Sequence, residues 1–312
     1  MNKCPYRVSI CSPIYGVEKY IERCAVSLFE QTYSDIDYIF VNDDTKDQSI
    51  DILKEVIARY PQREKYVRIV NHEYNRGLSA ARNTGVENVQ TEFLVWVDSD
   101  DYVDTTMVER LVSRQMKTNA DIVCGGVISL FPQRSIIEKR NNNMPKEVYL
   151  HKLLSKETEH WIWGKLIKTS LYKENRIKNI EGINMAEDYQ TLPFLVYHSN
   201  KVVFEESPIY YYNRFNETSL TSVFSEKKQQ ESFKSLLYVR ERFAGTNYEN
   251  DVQKYLLIMF FEHMKPFIKG EKIAESHKIF FASSLKNIPL KVYKSLSPKV
   301  LFTVIYSRLF II

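Results

Sequence analysis

The sequence predicts an α/β fold: a mainly parallel sheet flanked by helices, followed by a helical C-terminal region. Three observations lead there. Short apolar runs alternate with apolar residues at helical spacing through roughly the first 130 positions. Two of these runs end abruptly in clustered carboxylates, at the strand ends where open α/β sheets receive their ligands. Beyond about Ser225 the pattern is helical.

Taken in order, "YRVSICSPIY" (6–15) is an apolar strand ending in a Pro turn. Val17, Tyr20, Ile21, Cys24, Ala25, Leu28 and Phe29 then recur at the spacing of one helix face. "DYIFV" (37–41) is the next strand, and the turn "NDDTKD" leads into a helix marked by Ile52, Leu53, Val56, Ile57 and Tyr60, with Asp47 or Ser49 as its cap. "KYVRIV" (65–70) and "FLVWV" (93–97) are strands on either side of a helical stretch from about Leu78 to Val89, and "ADIVCGGVISL" (120–130) is a further strand. From Phe131 to Val148 the polar, twice proline-broken "PQRSIIEKRNNNMPKE" predicts a loop or flap that orders with ligand. An aromatic segment "HWIWGKLIKTSLY" (160–172), an acidic turn "MAEDYQTLPFLVY" (185–197) and a tyrosine-rich strand "PIYYYN" (208–213) follow.

Composition excludes several classes. A chain of 312 residues with 44% hydrophobic content buries a sizeable core, and a net charge of +4 without strong basic runs argues against nucleic acid. Cys4, Cys11, Cys24 and Cys124 form no CxxC, and without a signal peptide they fit structural thiols in a reduced, cytoplasmic setting. The six histidines form no zinc pattern, so a metal here would be an oxygen-binding one such as Mg or Mn. GxGxxG, GxxxxGK[ST] and GxSxG are all absent. The final "VLFTVIYSRLFII" has 13 residues, fewer than the roughly 20 that span a bilayer. With the acid-free basic residues from Lys286 onward it reads equally as a membrane-surface helix or as a docked or dimer-forming one.

The chemistry concentrates at "LVWVDSDDYV" (94–103), where a buried run ends on Asp98, Asp100 and Asp101. Carboxylates crowded at a strand end repel one another and lose hydration, so they either cap a solvated turn or answer a cation. In "NRGLSAARNTG" (75–85), Arg76 and Arg82 are candidates for phosphate contact, or spare arginines on a capped surface helix.

These segments together carry a resemblance. "SPIYGVEKYIERCAVSLFEQTYSDIDYIFVNDDTKDQS", "NRGLSAARNTGV" and "FLVWVDSDD" stand in the order and approximate spacing of the family-two glycosyltransferases, over roughly the first 130 residues. The resemblance implies the GT-A fold, an inverting mechanism and a nucleotide-sugar donor, with residues 1–220 as the catalytic domain. Within it 1–130 form the nucleotide-sugar half and 131–220 the acceptor half, and 221–312 a helical extension. It implies that Asp43 binds the nucleoside, in a donor site with Pro13, Tyr15, Arg76, Arg82, Asp98 and Ser99. It implies that Asp98-Ser99-Asp100 is the Asp-X-Asp motif for Mn or Mg, with Asp100 the direct ligand and Asp98 beside it. The family's Asp-Asp-Gly-Ser here reads Asn42-Asp43-Asp44-Thr45, so Asn42 and Asp44 depart from the pattern. "AEDYQ" matches the family's downstream Glu-Asp pair, giving Asp188 as general base and Glu187 beside it, against a helix-capping alternative. Trp161 and Trp163, with Lys165 beyond, resemble the segment preceding that pair and are candidates for stacking on an acceptor sugar, or for core packing.

The expected activity is transfer of a sugar from a uridine diphosphate sugar to a glycan or glycolipid hydroxyl in bacterial surface polysaccharide synthesis. A peripheral position at the inner membrane face is compatible with the tail. The alternatives are an inactive nucleotide-sugar-binding module, favoured by Asn42 and Asp44, and a nucleotidyltransferase, which lacks its glycine- and lysine-rich loop here.

Overall fold

Seven consecutive buried residues make β1 (Val8–Ile14) an interior strand, since a strand covered on both faces needs no polar alternation. It is flanked by β2 (Ile36–Asn42) and β4 (Phe93–Trp96), both parallel to it, and β3 (Val67–Asn71) lies parallel outside β2. The computed structural model describes residues 6–138, 144–216, 225–268, 288–298, 300–302 and 304–305. Cys4 and most of the C-terminal tail therefore fall outside the described residues.

Between the strands run α1 (Ile21–Phe29), α2 (Ser49–Ala58), the single turn α3 (Pro61–Glu64) and α4 (Leu78–Asn88). Ile21, Cys24, Ala25 and Leu28 face inward from α1, and Leu53 and Val56 from α2. In α4 every residue from Ser79 to Gly85 is buried, polar ones included. At Gly85 an added Cβ would stand 2.5 Å from the Trp96 ring, so only glycine lets α4 approach β4 this closely.

After β4 come β5 (Tyr102–Val103) and α5 (Met107–Thr118), ended by left-handed Asn119. The sequence reading did not include α5, although Met107, Val108, Leu111 and Val112 carry its helical spacing. β6 (Ile122–Phe131) does not run out into a loop as expected. It turns through Pro132 and Gln133 into β7 (Arg134–Glu138), antiparallel with Phe131 opposite Arg134 and Val127 opposite Glu138. The expected flap is thus in part a β-hairpin, made by a two-residue turn and the β-branched Ile136 and Ile137, and its end is the start of α6 (Lys146–Leu154). Residues 139–143 lie outside the described residues.

β8 (Lys165–Lys168) inserts antiparallel between β4 and β6, and β9 (Val202–Asn213) lies parallel to β6 on its other side, with β5 antiparallel beyond it. The order is β3-β2-β1-β4-β8-β6-β9-β5, with β7 on β6. Parallel pairing thus holds from β3 to β4, and the sheet is mixed from β8 onward. The short helix α7 (Thr169–Glu174) follows β8, and α8 (Glu187–His198) precedes β9.

The chain divides into two compact units. Met1–Lys146 with Trp161–Ser235 form one, and it contains the whole sheet. The other joins Glu147–His160 to Leu236–Ile312. Its described helices include α10 (Glu249–Ile268) and α11 (Leu290–Lys294), reached through α9 (Glu226–Phe243). Within it His151 meets Asp251 at 2.6 Å and Lys254 meets Glu157 at 2.6 Å.

Candidate active site

Parallel register sets Ile14 of β1 opposite Asn42 of β2, so the loops leaving these strands lie side by side. Four hydrogen bonds join them: the Gly16 amide to Thr45 Oγ1 (2.9 Å), Val17 to Ser49 Oγ (3.1 Å), Glu18 to Asp47 Oδ2 (2.9 Å) and, in return, the Gln48 amide to Glu18 Oε2 (3.1 Å). Both departures from the family pattern fit this turn. Asp44 takes the left-handed conformation (φ 56°) that a glycine would adopt, tolerated best by Asp and Asn among side-chain-bearing residues, and Asn42 Oδ1 accepts the Thr45 amide at 3.0 Å. Tyr15 is 54% exposed.

Asp43 is buried and its carboxylate organises the loop after β3. Oδ1 accepts the Arg76 amide (2.8 Å) and meets His72 Nδ1 (2.7 Å), while Oδ2 accepts the Gly77 amide (2.7 Å). Gly77 sits at φ 88°, and any Cβ there would fall 2.4 Å from Asn184 Nδ2. The Arg76 guanidinium is engaged by both Glu181 oxygens at 2.9 and 3.0 Å. His72 was not expected here; nothing local in the sequence marks it as the partner of Asp43.

The Asp98–Asp101 loop is fixed from three directions. Ser99 Oγ donates to the Pro13 carbonyl (2.6 Å), tying the loop to β1. Asp101, buried, accepts the Tyr210 hydroxyl (2.7 Å) and the Asn213 amide (2.7 Å), and the Asp98 amide donates to the Tyr210 oxygen (3.1 Å). Asn213 Nδ2 donates to the Asp100 carbonyl (3.1 Å) and Asn216 Nδ2 to Asp100 Oδ2 (2.9 Å). Burial first and the Asp98 charge second push Asp100 up to about 6; burial with Asp100 and Asp98 raises Asp101 well above the carboxylate range. Asp98 and Asp100 offer hard oxygen donors on one short loop. Among the described residues no group of three or more His, Cys, Asp or Glu is arranged to hold a metal ion, and hard carboxylate oxygens of this kind are the donors that an Mg- or Mn-type cation takes.

Arg82 joins this loop to the second acidic pair. Its side chain is 4% exposed, with Nη2 2.7 Å from Asp98 Oδ1 and 3.8 Å from both Glu187 Oε1 and Asp188 Oδ1. The guanidinium lies 4.8 Å over Trp96, and among the described residues Nε and Nη1 find no hydrogen-bond acceptor. Burial opposes its charge, but the fields of Asp98, Asp188 and Glu187 prevail and raise its pKa. Arg82 is thus not a spare surface arginine: α4 packs it inward, onto the carboxylates of the site.

Glu187 and Asp188 open α8 directly after left-handed Ala186. The approach is held by Asn179, which receives the Asn83 amide on its carbonyl (3.0 Å) and donates Nδ2 to the Glu187 carbonyl (2.7 Å). Glu231 Oε2 accepts the Asn184 and Met185 amides at 2.9 and 3.1 Å. Burial raises Asp188 to about 6 against the lowering effect of Arg82, and raises Glu187 further, with Asp188 adding to it.

An aromatic stack backs the site. Trp161 and Trp163 stack at 4.6 Å, Trp163 and Tyr210 at 4.1 Å, and Tyr212 lies 5.5 Å from Trp161 and 5.1 Å from Trp163. Trp163 is buried, as core packing would have it, while Trp161 is half-exposed. Lys165 is buried with its ammonium donating to the Trp161 carbonyl.

The family model described as glycosyl transferase family 2 matches residues 9–176. The uncharacterised glycosyltransferase EpsJ of Bacillus subtilis is 33% identical over 230 residues, 69% of this chain and 63% of its own length. Glycosyltransferase GlyA of Streptococcus pneumoniae is 30% identical over 233 residues, 71% of this chain and 32% of its own. The chain thus spans less than two thirds of either relative. The crystal structure of S. aureus TarS 1–349 in complex with UDP-GlcNAc has the same fold, with a TM-score of 0.76 at 18% identity over 97% of this chain and 87% of that one. An Asp-rich strand end and a downstream Glu-Asp pair gathered on one arginine, in a sheet of this order and with this match, make the chain a member of glycosyl transferase family 2.

Proposed function

We propose that the chain is an inverting glycosyltransferase that moves a sugar from a nucleoside diphosphate sugar, with a uridine diphosphate sugar as the expected donor, to a hydroxyl of a glycan or glycolipid acceptor. One observation carries this: a single buried guanidinium stands 2.7 Å from Asp98 and 3.8 Å from Asp188, so donor-motif and candidate base share one centre. Asp188, raised to about 6, is still a carboxylate at neutral pH and basic enough to take the proton of the acceptor hydroxyl. The acceptor oxygen attacks the anomeric carbon as the bond to the diphosphate breaks on the opposite face, and the nucleoside diphosphate leaves with the electron pair. Asp43, its loop and Tyr15 are assigned to the nucleoside, and Trp161 with Glu187 to the acceptor side. Asp100, with Asp98, would hold Mn or Mg, which when bound neutralises charge on the departing diphosphate.

The UDP-GlcNAc complex of TarS 1–349 supports the choice of donor, and the glycosyltransferase relatives support the reaction class. A role in surface polysaccharide synthesis, in the cytoplasm against the inner membrane face, completes the reading. Among the described residues no helix is long and apolar enough to cross a membrane. On α11, Leu290 is 80% exposed beside exposed Lys291 and Lys294, while Val292 and Tyr293 are buried, which suits peripheral contact with anionic lipid.

The test is calorimetric titration of UDP with Mn present and again with a chelator. Binding that requires Mn is the expected result; equal binding in both conditions removes the metal from the proposal, and no binding in either removes the uridine donor.

A further inference from the structure

The chemistry of the acceptor can be read from the far end of the aromatic stack. Phe131 closes β6, half-buried, and two guanidiniums address its ring: Arg134, its partner across the β6–β7 turn, at 5.3 Å from the centroid, and Arg214, just past β9, at 5.6 Å. Arg214 also lies 5.1 Å over Tyr212, and its amide donates to the Leu130 carbonyl at 2.9 Å, which stitches the ends of β6 and β9 together. Both arginines are exposed, and among the described residues their side chains meet rings and the Tyr212 hydroxyl rather than a carboxylate. The nearby acid of the hairpin, Glu138, accepts the Ser129 hydroxyl at 2.6 Å instead. The segment from Pro132 to Lys146, "PQRSIIEKRNNNMPK", holds four cations and one acid.

Two arginines that meet no carboxylate among the described residues and address one ring repel each other, and a cation–π contact offsets only part of that. Arg214 Nη1 donates to the Tyr212 hydroxyl at 3.4 Å, and the remaining donors of the two planar guanidiniums are matched to phosphate oxygens. From this pair a run of ring contacts leads through Tyr212, edge-on to Trp161 and tilted against Trp163, and on to Tyr210, whose hydroxyl meets Asp101 and the Asp98 amide. Sugar C–H faces stack on such rings. A neutral glycan would use the rings and have no call for the cations. We infer that the acceptor is a phosphate-bearing glycan, with its sugars on the Trp161–Tyr212 faces and a phosphate, beyond the hydroxyl under attack, held by Arg134 and Arg214. This rests on the reading of the chain as a glycosyltransferase and narrows its acceptor. Exposed Ile136 and Ile137 on β7 make an anionic lipid surface the competing occupant.

The experiment compares the full chain with its R134Q/R214Q double variant, both substitutions being at exposed positions. A singly phosphorylated maltooligosaccharide, the same oligosaccharide freed of phosphate, and UDP with Mn are titrated calorimetrically at low and high salt. Vesicles of phosphatidylglycerol and phosphatidylcholine are co-sedimented in parallel. The expected result is a wild-type preference for the phosphorylated sugar that weakens with salt, lost by about tenfold or more in the double variant, with UDP affinity unchanged. Equal binding of the two oligosaccharides by wild type, or full retention of the preference in the variant, overturns the inference. A loss confined to vesicle sedimentation assigns the arginines to lipid and also overturns it. Failure of UDP to bind wild type counts against the donor reading alone, because the oligosaccharide titrations need no donor.

Discussion

Arg82 Nη2 and Asp98 Oδ1 stand 2.7 Å apart inside the protein, with the arginine 4% exposed. The pair is a junction, because the same nitrogen lies 3.8 Å from Glu187 and from Asp188. Removing the guanidinium leaves three carboxylates facing one another without their cation. Arg82→Met should therefore lower unfolding stability by about 3–5 kcal/mol, the range for an orphaned buried charge, as urea denaturation at neutral pH would measure. A loss below about 1 kcal/mol, the scale of an exposed pair, would mean the carboxylates are solvated in solution.

Asp188→Asn should abolish sugar transfer and leave UDP affinity intact. In the unchanged protein transfer should rise with pH through about 6, because the carboxylate is the active form and burial raises it to that value. Stability runs the other way. Between the ordinary carboxylate value and about 6 the folded protein holds a proton that the unfolded chain has released, so ionisation destabilises the fold as pH rises through that window. The asparagine variant should then melt higher than wild type at pH 8, with the gap closing at pH 4. A pH profile lacking an acidic limb would take the base role from Asp188.

Asp100→Ala should leave UDP binding weak and indifferent to Mn. Its carboxylate accepts from Asn216 Nδ2, a contact the substitution also removes. Calorimetry with and without chelator decides it, and wild-type metal dependence in the variant would exclude Asp100 as ligand.

Tyr210→Phe keeps the ring stacked on Trp163 while stripping the hydroxyl from Asp101 and from the Asp98 amide. Leaving these buried groups unsatisfied should cost about 1–3 kcal/mol in thermal or urea unfolding. Donor affinity should fall too, since the motif loop loses its support; a variant as stable as wild type would show that water replaces the hydroxyl.

Much of this was legible in the sequence because it is written locally. The apolar spacing of Ile21, Cys24, Ala25 and Leu28 and the buried runs of β1, β2 and β4 need no distant partner to be read, and they gave the parallel half of the sheet. The carboxylate clusters at Asp98–Asp101 and Glu187–Asp188 are local in the same sense. What the clusters do to one another was not legible, since Asp100 meets Asn216 across 116 positions and Asp43 meets His72 across 29. Arg82 looked like a surface residue because polar α4 lacks an amphipathic stripe, whereas the fold buries that helix from Ser79 to Gly85. The antiparallel insertion of β8 between β4 and β6 is a matter of long-range pairing, and four residues of "KLIK" carry no sign of it. The β6–β7 hairpin was hidden by polar residues around its turn, and α5 was there to be read.

The anchoring of Asp101 by Asn213 has a consequence for synthesis on the ribosome. The two residues are 112 positions apart, and at about 5–20 residues per second the second emerges on the order of ten seconds after the first. Through that interval the four parallel strands β1 to β4 have left the tunnel, but the loop at their carboxyl ends has nothing to close against. The nascent chain can assemble a sheet before it can assemble a reaction centre, and a release event that stops translation short of Asn213 yields a protein with its motif intact in sequence and unbuilt in space.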